Sequence, residues 1–179
     1  METQELVLVD DLDQPIGTMD KMEVHRKGLL HRAFSVFIFN RQGDMLIQQR
    51  ADEKYHSPGL WTNACCSHPF PGEPVQKAAE RRLYEELGFN TLLEELFSFT
   101  YRSQFENGLI EHEYDHVFAG IYDGKMNPAR EEVKDHTYRS LQEISNELTN
   151  SPEYYTPWFR IAFPRIQNWA ISRFGTNIV

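Results

Sequence analysis

The run Cys65-Cys66-Ser67-His68-Pro69-Phe70-Pro71 sets a thiol two positions before an imidazole, and a helix rich in glutamate and arginine follows at once. A thiol and an imidazole this close are groups for proton transfer, nucleophilic attack or metal binding. The helix reads from Pro74, suited to a first turn because its missing N–H has no partner there, to Leu87, with Gly88 as the stop. At about 100° per residue, Val75, Ala78, Ala79, Leu83 and Leu87 share one stripe. Arg82 and Glu86 fall in its middle, one turn apart, while Lys77, Arg81 and Tyr84 point away. Charges on an inward face need a reason. One is a buried ion pair, which seldom recovers its desolvation cost; the other is that both side chains reach an anionic ligand and its metal. Glu111-His112-Glu113 poses a similar question, because in a strand the two glutamates share one face and repel unless something positive sits between them.

Short strands must position these groups in the first half of the chain. Glu5 to Val9 reads as a strand, Asp11 to Gly17 as its turn, and Ala33 to Phe39 with Met45 to Gln49 as a hairpin around Arg41-Gln42-Gly43-Asp44. Further strands fit Leu96 to Phe105 and Ile110 to Tyr122. After Arg130 the chain reads as helical: a short helix from Leu141 to Leu148, then a longer one with Thr156 as N-cap and Pro157 first, kinked at Pro164. The sum is an α/β fold, a mixed sheet flanked by helices.

With 179 residues, 40% hydrophobic and 13% aromatic, the chain reads as one domain over 1–179. No apolar run nears about 18 residues and no leader is visible, so no membrane partner is expected and the location reads as cytoplasmic. The two adjacent cysteines could pair only through a strained bridge, which leaves free thiols and fits a reducing compartment. A net charge of −9 disfavours nucleic acid as a partner. Any anionic substrate must therefore be met by divalent metal and a local cluster, for which Lys21, Arg50, Lys54 and Arg82 are the candidates.

The helix and its approach resemble the Nudix box, a strand-loop-helix motif that holds metal-bound diphosphates. Glu73, Arg81, Leu83, Glu85, Glu86, Gly88 and Phe89 match it. The motif's first glycine is Ser67 here, and the glutamate that normally follows its arginine, a main metal ligand for hydrolysis, is Arg82. A cation there argues against hydrolysis and for gripping a diphosphate.

Over Leu6 to Trp169 the chain resembles the type I isopentenyl diphosphate isomerases, an α/β/α Nudix-like sandwich. The likeness rests on Gly17-Thr18-Met19-Asp20-Lys21, His31-Arg32-Ala33-Phe34-Ser35, Trp61-Thr62-Asn63, Cys66-Ser67-His68-Pro69, Glu111-His112-Glu113 and Thr156-Pro157-Trp158. The resemblance implies interconversion of isopentenyl and dimethylallyl diphosphate through a tertiary carbocation. It implies Cys66 and Glu113 as the acid/base pair, Tyr101 as a hydrogen-bond partner of Glu113, and Trp158 and Trp61 as pocket walls. The alternative for either tryptophan is a plain core aromatic.

The resemblance also makes His25, His31, His68, Glu111 and Glu113 ligands of one Mn²⁺, Zn²⁺ or Mg²⁺, in an octahedral site with a position left open. A second ion, Mg²⁺, would bind the substrate phosphates, Glu86 and the Cys66 carbonyl. His56, His112, His116 and His136 match no ligand position and read as structural or exposed. Arg82 beside the Cys66 thiol, with a metal-bound imidazole, should favour its thiolate. A monomer and a homodimer both fit. The competing readings are a Nudix hydrolase and a silent diphosphate-binding domain.

Overall fold

The computed structural model describes residues 4–175. In chain order the elements are β1 (Glu5–Val9), β2 (Pro15–Asp20), α1 (Lys21–Lys27), β3 (His31–Phe39), β4 (Met45–Arg50), β5 (Trp61–Thr62), β6 (Cys65–Ser67), α2 (Val75–Leu87), β7 (Leu93–Gln104), β8 (Ile110–Ile121), β9 (Val133–Arg139), α3 (Leu141–Asn150), a 3-10 turn at Pro152–Tyr154 and α4 (Pro157–Phe174). All of β3 except Arg32 is buried. A strand apolar on both sides needs cover on both faces of its sheet, and it has it. Phe34, Val36 and Ile38 pack with Ala78, Ala79, Leu83 and Leu87 of α2. Phe37 and Phe39 pack on the other face with Leu141 and Ile144 of α3 and Phe159, Phe163 and Ile166 of α4. The result is an α/β/α sandwich.

The sheet is mixed. β3 runs parallel to β8 along its whole length and antiparallel to β1, β4 and β6 at successive stations. β7 pairs antiparallel with β8, and β9 with β4. That registry sets His31 beside Glu113, Ser35 beside Cys66 and Tyr101 beside Glu113. Three distant stretches of sequence thus meet at one end of the sheet.

Several expectations change. Val133–Arg139 is a strand, not part of a helical tail; its polar residues gave no apolar signal because it pairs along the sheet margin. Pro15–Asp20 is a strand that begins within the Asp11 to Gly17 turn of the sequence reading, and only Asp10–Gln14 turns, with the Asp10 carboxylate accepting from the Leu12 and Gln14 N–H groups. Lys21–Lys27 is a helix, capped by Asp20 and ended by Gly28 at φ 63°. A side chain at Gly28 would also meet Ile110 at 3.0 Å, so this turn is closed to larger residues. Pro164 lies inside α4 without interrupting it. Helix α2 starts one residue after Pro74 and stops at Gly88, whose φ of 76° suits glycine. Among the described residues no helix is long and apolar enough to cross a membrane.

Candidate active site

The densest chemistry lies where α1, β3, β6 and β8 meet. His25 and His31 are both wholly buried. Each donates its Nδ1–H to a backbone carbonyl, His25 to Lys21 at 2.6 Å and His31 to Leu29 at 2.9 Å, which leaves both Nε2 atoms as bare lone pairs. These lone pairs face more acceptors. His25 Nε2 is 3.2 Å from Glu111 Oε1, and His31 Nε2 is 3.6 Å from Glu113 Oε1 and 3.2 Å from His68 Nε2. His68 Nε2 in turn lies 2.9 Å from Glu113 Oε1. Donor atoms of His25, His31, His68 and Glu111 all fall within 4.8 Å of one another. His25 Nε2, His68 Nδ1 and Glu111 Oε2 are buried without hydrogen-bond partners. Lone pairs and carboxylates aimed at a common point, with their outer nitrogens tied to carbonyls, are how proteins prepare to hold a divalent cation. The residues present fit such an ion.

This cluster floors a cavity of about 750 Å³. Cys66, Tyr101 and Trp158 line it together with the cations Lys21, Arg50, Lys54, Arg81 and Arg82. Cys66 Sγ accepts the Trp158 indole N–H at 3.0 Å and donates to Asn63 Oδ1 at 3.1 Å. Asn63 is itself fixed, donating to the Val36 and Cys65 carbonyls at 3.0 and 2.8 Å. Trp158 sits in the first turn of α4, whose N-cap Thr156 makes its hydroxyl contact with Thr62 at 2.9 Å instead of capping the helix. The Trp61-Thr62-Asn63 segment therefore locks helix, indole and thiol together. Tyr101 donates to Glu113 Oε2 at 2.7 Å.

A Nudix-domain profile matches residues 29–159. A protein of Pectobacterium atrosepticum called isopentenyl-diphosphate Delta-isomerase is 51% identical over 171 residues, covering 94% of each chain. Its namesake in Serratia proteamaculans is 51% identical over 154 residues, 86% of each chain. The chain belongs to the isopentenyl-diphosphate Delta-isomerase family. Among solved structures, a Deinococcus radiodurans protein has a TM-score of 0.77 at 19% identity, covering 90% of this chain and 98% of its own, and a MutT protein of Methanosarcina mazei has 0.63 at 18%, covering 78% and 94%. At those identities the likeness shows the fold.

Within this isomerase-family framework the Nudix helix is braced by charge. Arg81 grips Glu73 through two bonds of 2.8 and 2.9 Å and covers the Phe70 ring at 4.1 Å. Arg82 donates to Glu86 at 2.6 Å, to Glu85 at 2.8 Å and to Glu132 at 3.3 Å. Lys54 also pairs with Glu132. Arg82 and Glu86 form an ion pair, and of the two only Arg82 lines the cavity.

Electrostatics overturn one expectation. Burial, reinforced by Asp115, pushes the Cys66 thiol up to about 12, so sulfur holds its proton and no thiolate is favoured. Among the described residues the sulfur's hydrogen-bond partners are Ser35, Asn63 and Trp158, none of them a cation. Burial and the Glu111 charge both raise the Glu113 carboxyl, but the neighbouring His31 and His68 imidazoles outweigh them and hold it below the ordinary value. Glu111 is likewise held low by His25 and His56 against its burial. Burial drives His68 down to about 4 despite its bond to Glu113.

Of the expected site residues, Cys66, Glu113, Tyr101, Glu111, His68, Lys21, Arg50, Lys54, Arg82 and Trp158 line the cavity, with His25 and His31 just beneath. Trp61 does not. Its ring lies under the Arg139 guanidinium at 5.1 Å, away from the lining, which corrects its reading as a wall. The sequence reading missed Asn63, Glu132 and His56 as parts of the site. It also missed Asp115, buried and accepting from Ser35 Oγ at 2.7 Å. The two-residue period of β8 that places Glu111 and Glu113 puts Asp115 on the same face.

Proposed function

We propose that this protein interconverts isopentenyl diphosphate and dimethylallyl diphosphate. The observation that carries the reading is a thiol and a carboxylate, Cys66 and Glu113, lining one cavity with the Trp158 indole, in a chain of this family. Moving the double bond requires a proton added at the terminal methylene carbon, a tertiary cation at the branched carbon, and a proton removed from the carbon next to it. Sulfur carries one exchangeable proton and Glu113 has room for one, so one group gives a proton as the other takes one and the pair's total is unchanged. Asn63 and the Trp158 N–H hold the sulfur, and Tyr101 holds the carboxylate. The Trp158 ring faces the cation, an attraction worth about 2 kcal/mol when desolvated.

His25, His31, His68, Glu111 and Glu113 would hold one divalent ion, whose charge keeps Glu113 ionised. Glu86 and the Cys66 carbonyl would meet a substrate-borne Mg²⁺. Lys21, Arg50, Lys54 and Arg82 would bind the diphosphate, where charge-assisted hydrogen bonds orient the carbon chain toward Cys66 and Glu113.

The test is to incubate the purified protein with isopentenyl diphosphate and divalent metal, following product and phosphate together. Dimethylallyl diphosphate without phosphate release supports the isomerase. Phosphate release without it would make the chain a Nudix hydrolase and refute the proposal.

A further inference from the structure

His56 sits in the stretch between β4 and β5, yet it is only 6% exposed. Its Nε2 is 2.6 Å from Glu111 Oε1, a shorter contact than His25, His31 or His68 makes to either carboxylate. Its ring is clamped, stacked on Phe105 at 4.9 Å and edge-on to Trp158 at 5.8 Å. Its carbonyl accepts from Arg50 Nη2 at 3.2 Å, and that guanidinium lies over the Trp158 ring at 5.4 Å.

The tautomers separate this imidazole from His25 and His31. His25 and His31 spend their Nδ1–H groups on backbone carbonyls and turn lone pairs inward. His56 Nδ1 has no carbonyl, only a 3.5 Å contact with the Ser57 hydroxyl. Its proton belongs on Nε2, where a carboxylate oxygen accepts it. A bond of that length fixes the rotation of the Glu111 carboxylate and leaves Oε2 as the orphaned oxygen.

We infer that His56 is a positioning residue of the metal centre: it donates its Nε2–H to Glu111 Oε1, orients that carboxylate for the ion, and through its carbonyl fixes Arg50 at the diphosphate end. The inference rests on the divalent site proposed above. Outer hydrogen bonds of this kind are typically worth about 10–100-fold in metal affinity. The loop that carries Lys54 thereby ties the anion-binding side of the cavity to its metal floor.

The experiment titrates Zn²⁺ into metal-free protein against a competing chelator, for wild type, His56→Phe, His56→Gln and His25→Ala. His56→Phe keeps the ring packing and should bind about 10–100-fold more weakly, while His56→Gln, which retains an N–H, should recover most of the loss. Wild-type affinity in His56→Phe, or equal losses in the Phe and Gln variants, would overturn the inference and leave the metal centre standing. A loss as complete as in His25→Ala would make His56 a ligand and also overturn it. No Zn²⁺ binding by wild type would remove the metal centre itself. If His56→Phe does not fold, nitrogen NMR of zinc-loaded wild type decides: a proton retained on His56 Nε2 supports the inference, and a metal-shifted Nε2 overturns it.

Discussion

Removing Arg82 should separate its two duties. Arg82 Nη2 is 2.6 Å from Glu86 Oε1, with Glu85 and Glu132 also in contact, and the Glu86 side chain is only 5% exposed. Burial raises the Glu86 carboxyl and Arg82 is the first influence that opposes it. Arg82→Leu leaves a buried carboxylate without its cation, a change that typically costs about 3–5 kcal/mol. Adding Glu86→Leu removes the orphan, so the double variant should regain most of the lost stability. Catalysis should not follow. At about 4 Å and an effective dielectric near 20, one phosphate contact is worth about 4 kcal/mol, so the double variant should bind substrate at least about 10²-fold more weakly. Thermal unfolding of the metal-free proteins gives the first quantity and steady-state kinetics the second. A double variant with restored stability and wild-type kinetics would show that Arg82 and Glu86 only brace the fold. A stable single variant would refute the buried-pair energetics.

Cys66→Ala should lower turnover by about 10²–10⁴-fold, the usual worth of a positioned proton-transfer group, whereas Cys65→Ala, at a site with 0% exposure outside the cavity lining, should affect stability more than rate; equal, mild kinetic effects would refute the assignment. Glu111→Gln should weaken metal retention, and Glu113→Gln should reduce turnover further than its metal content explains, measured on the same preparations. Metal-free protein should lose stability as pH falls from about 6.5 toward 4, because unfolded His68 takes a proton near 6.5 and the folded imidazole resists until about 4. The expected contribution is about 3 kcal/mol, and Glu111 and Glu113, held low in the fold, lose theirs only as pH falls further, below the ordinary carboxylate value. A flat melting profile over that window would contradict the buried neutral His68.

The helix of the diphosphate motif was legible because periodicity and punctuation agree: the Ala78, Ala79, Leu83, Leu87 stripe is buried and Gly88 ends it. So were β3, whose apolar run reflects a sheet covered on both faces, and β8, whose period of two gives way to an apolar run from Val117. The margin strands were not, since Pro15–Asp20 and Val133–Arg139 carry turn residues and charge in place of a core-facing pattern. The five proposed ligands came from motif resemblance, because no local rule joins His25 to Glu111 across the sequence; the β3–β8 registry does that. His56 was invisible for the same reason. Its meaning lies in a contact to Glu111 that only the tertiary fold creates. The protonated state of Cys66 escaped because burial, which sequence does not display, outweighs the neighbouring cations.

Single-turnover reaction in heavy water tests the central claim, that Cys66 and Glu113 exchange protons with the carbon chain. Wild-type protein should place solvent deuterium in a methyl group of dimethylallyl diphosphate, with no phosphate released and with Cys66→Ala and Glu113→Gln each suppressing the label. Product formed without solvent deuterium, or labelled equally by the Cys66→Ala and Glu113→Gln proteins, would contradict the account.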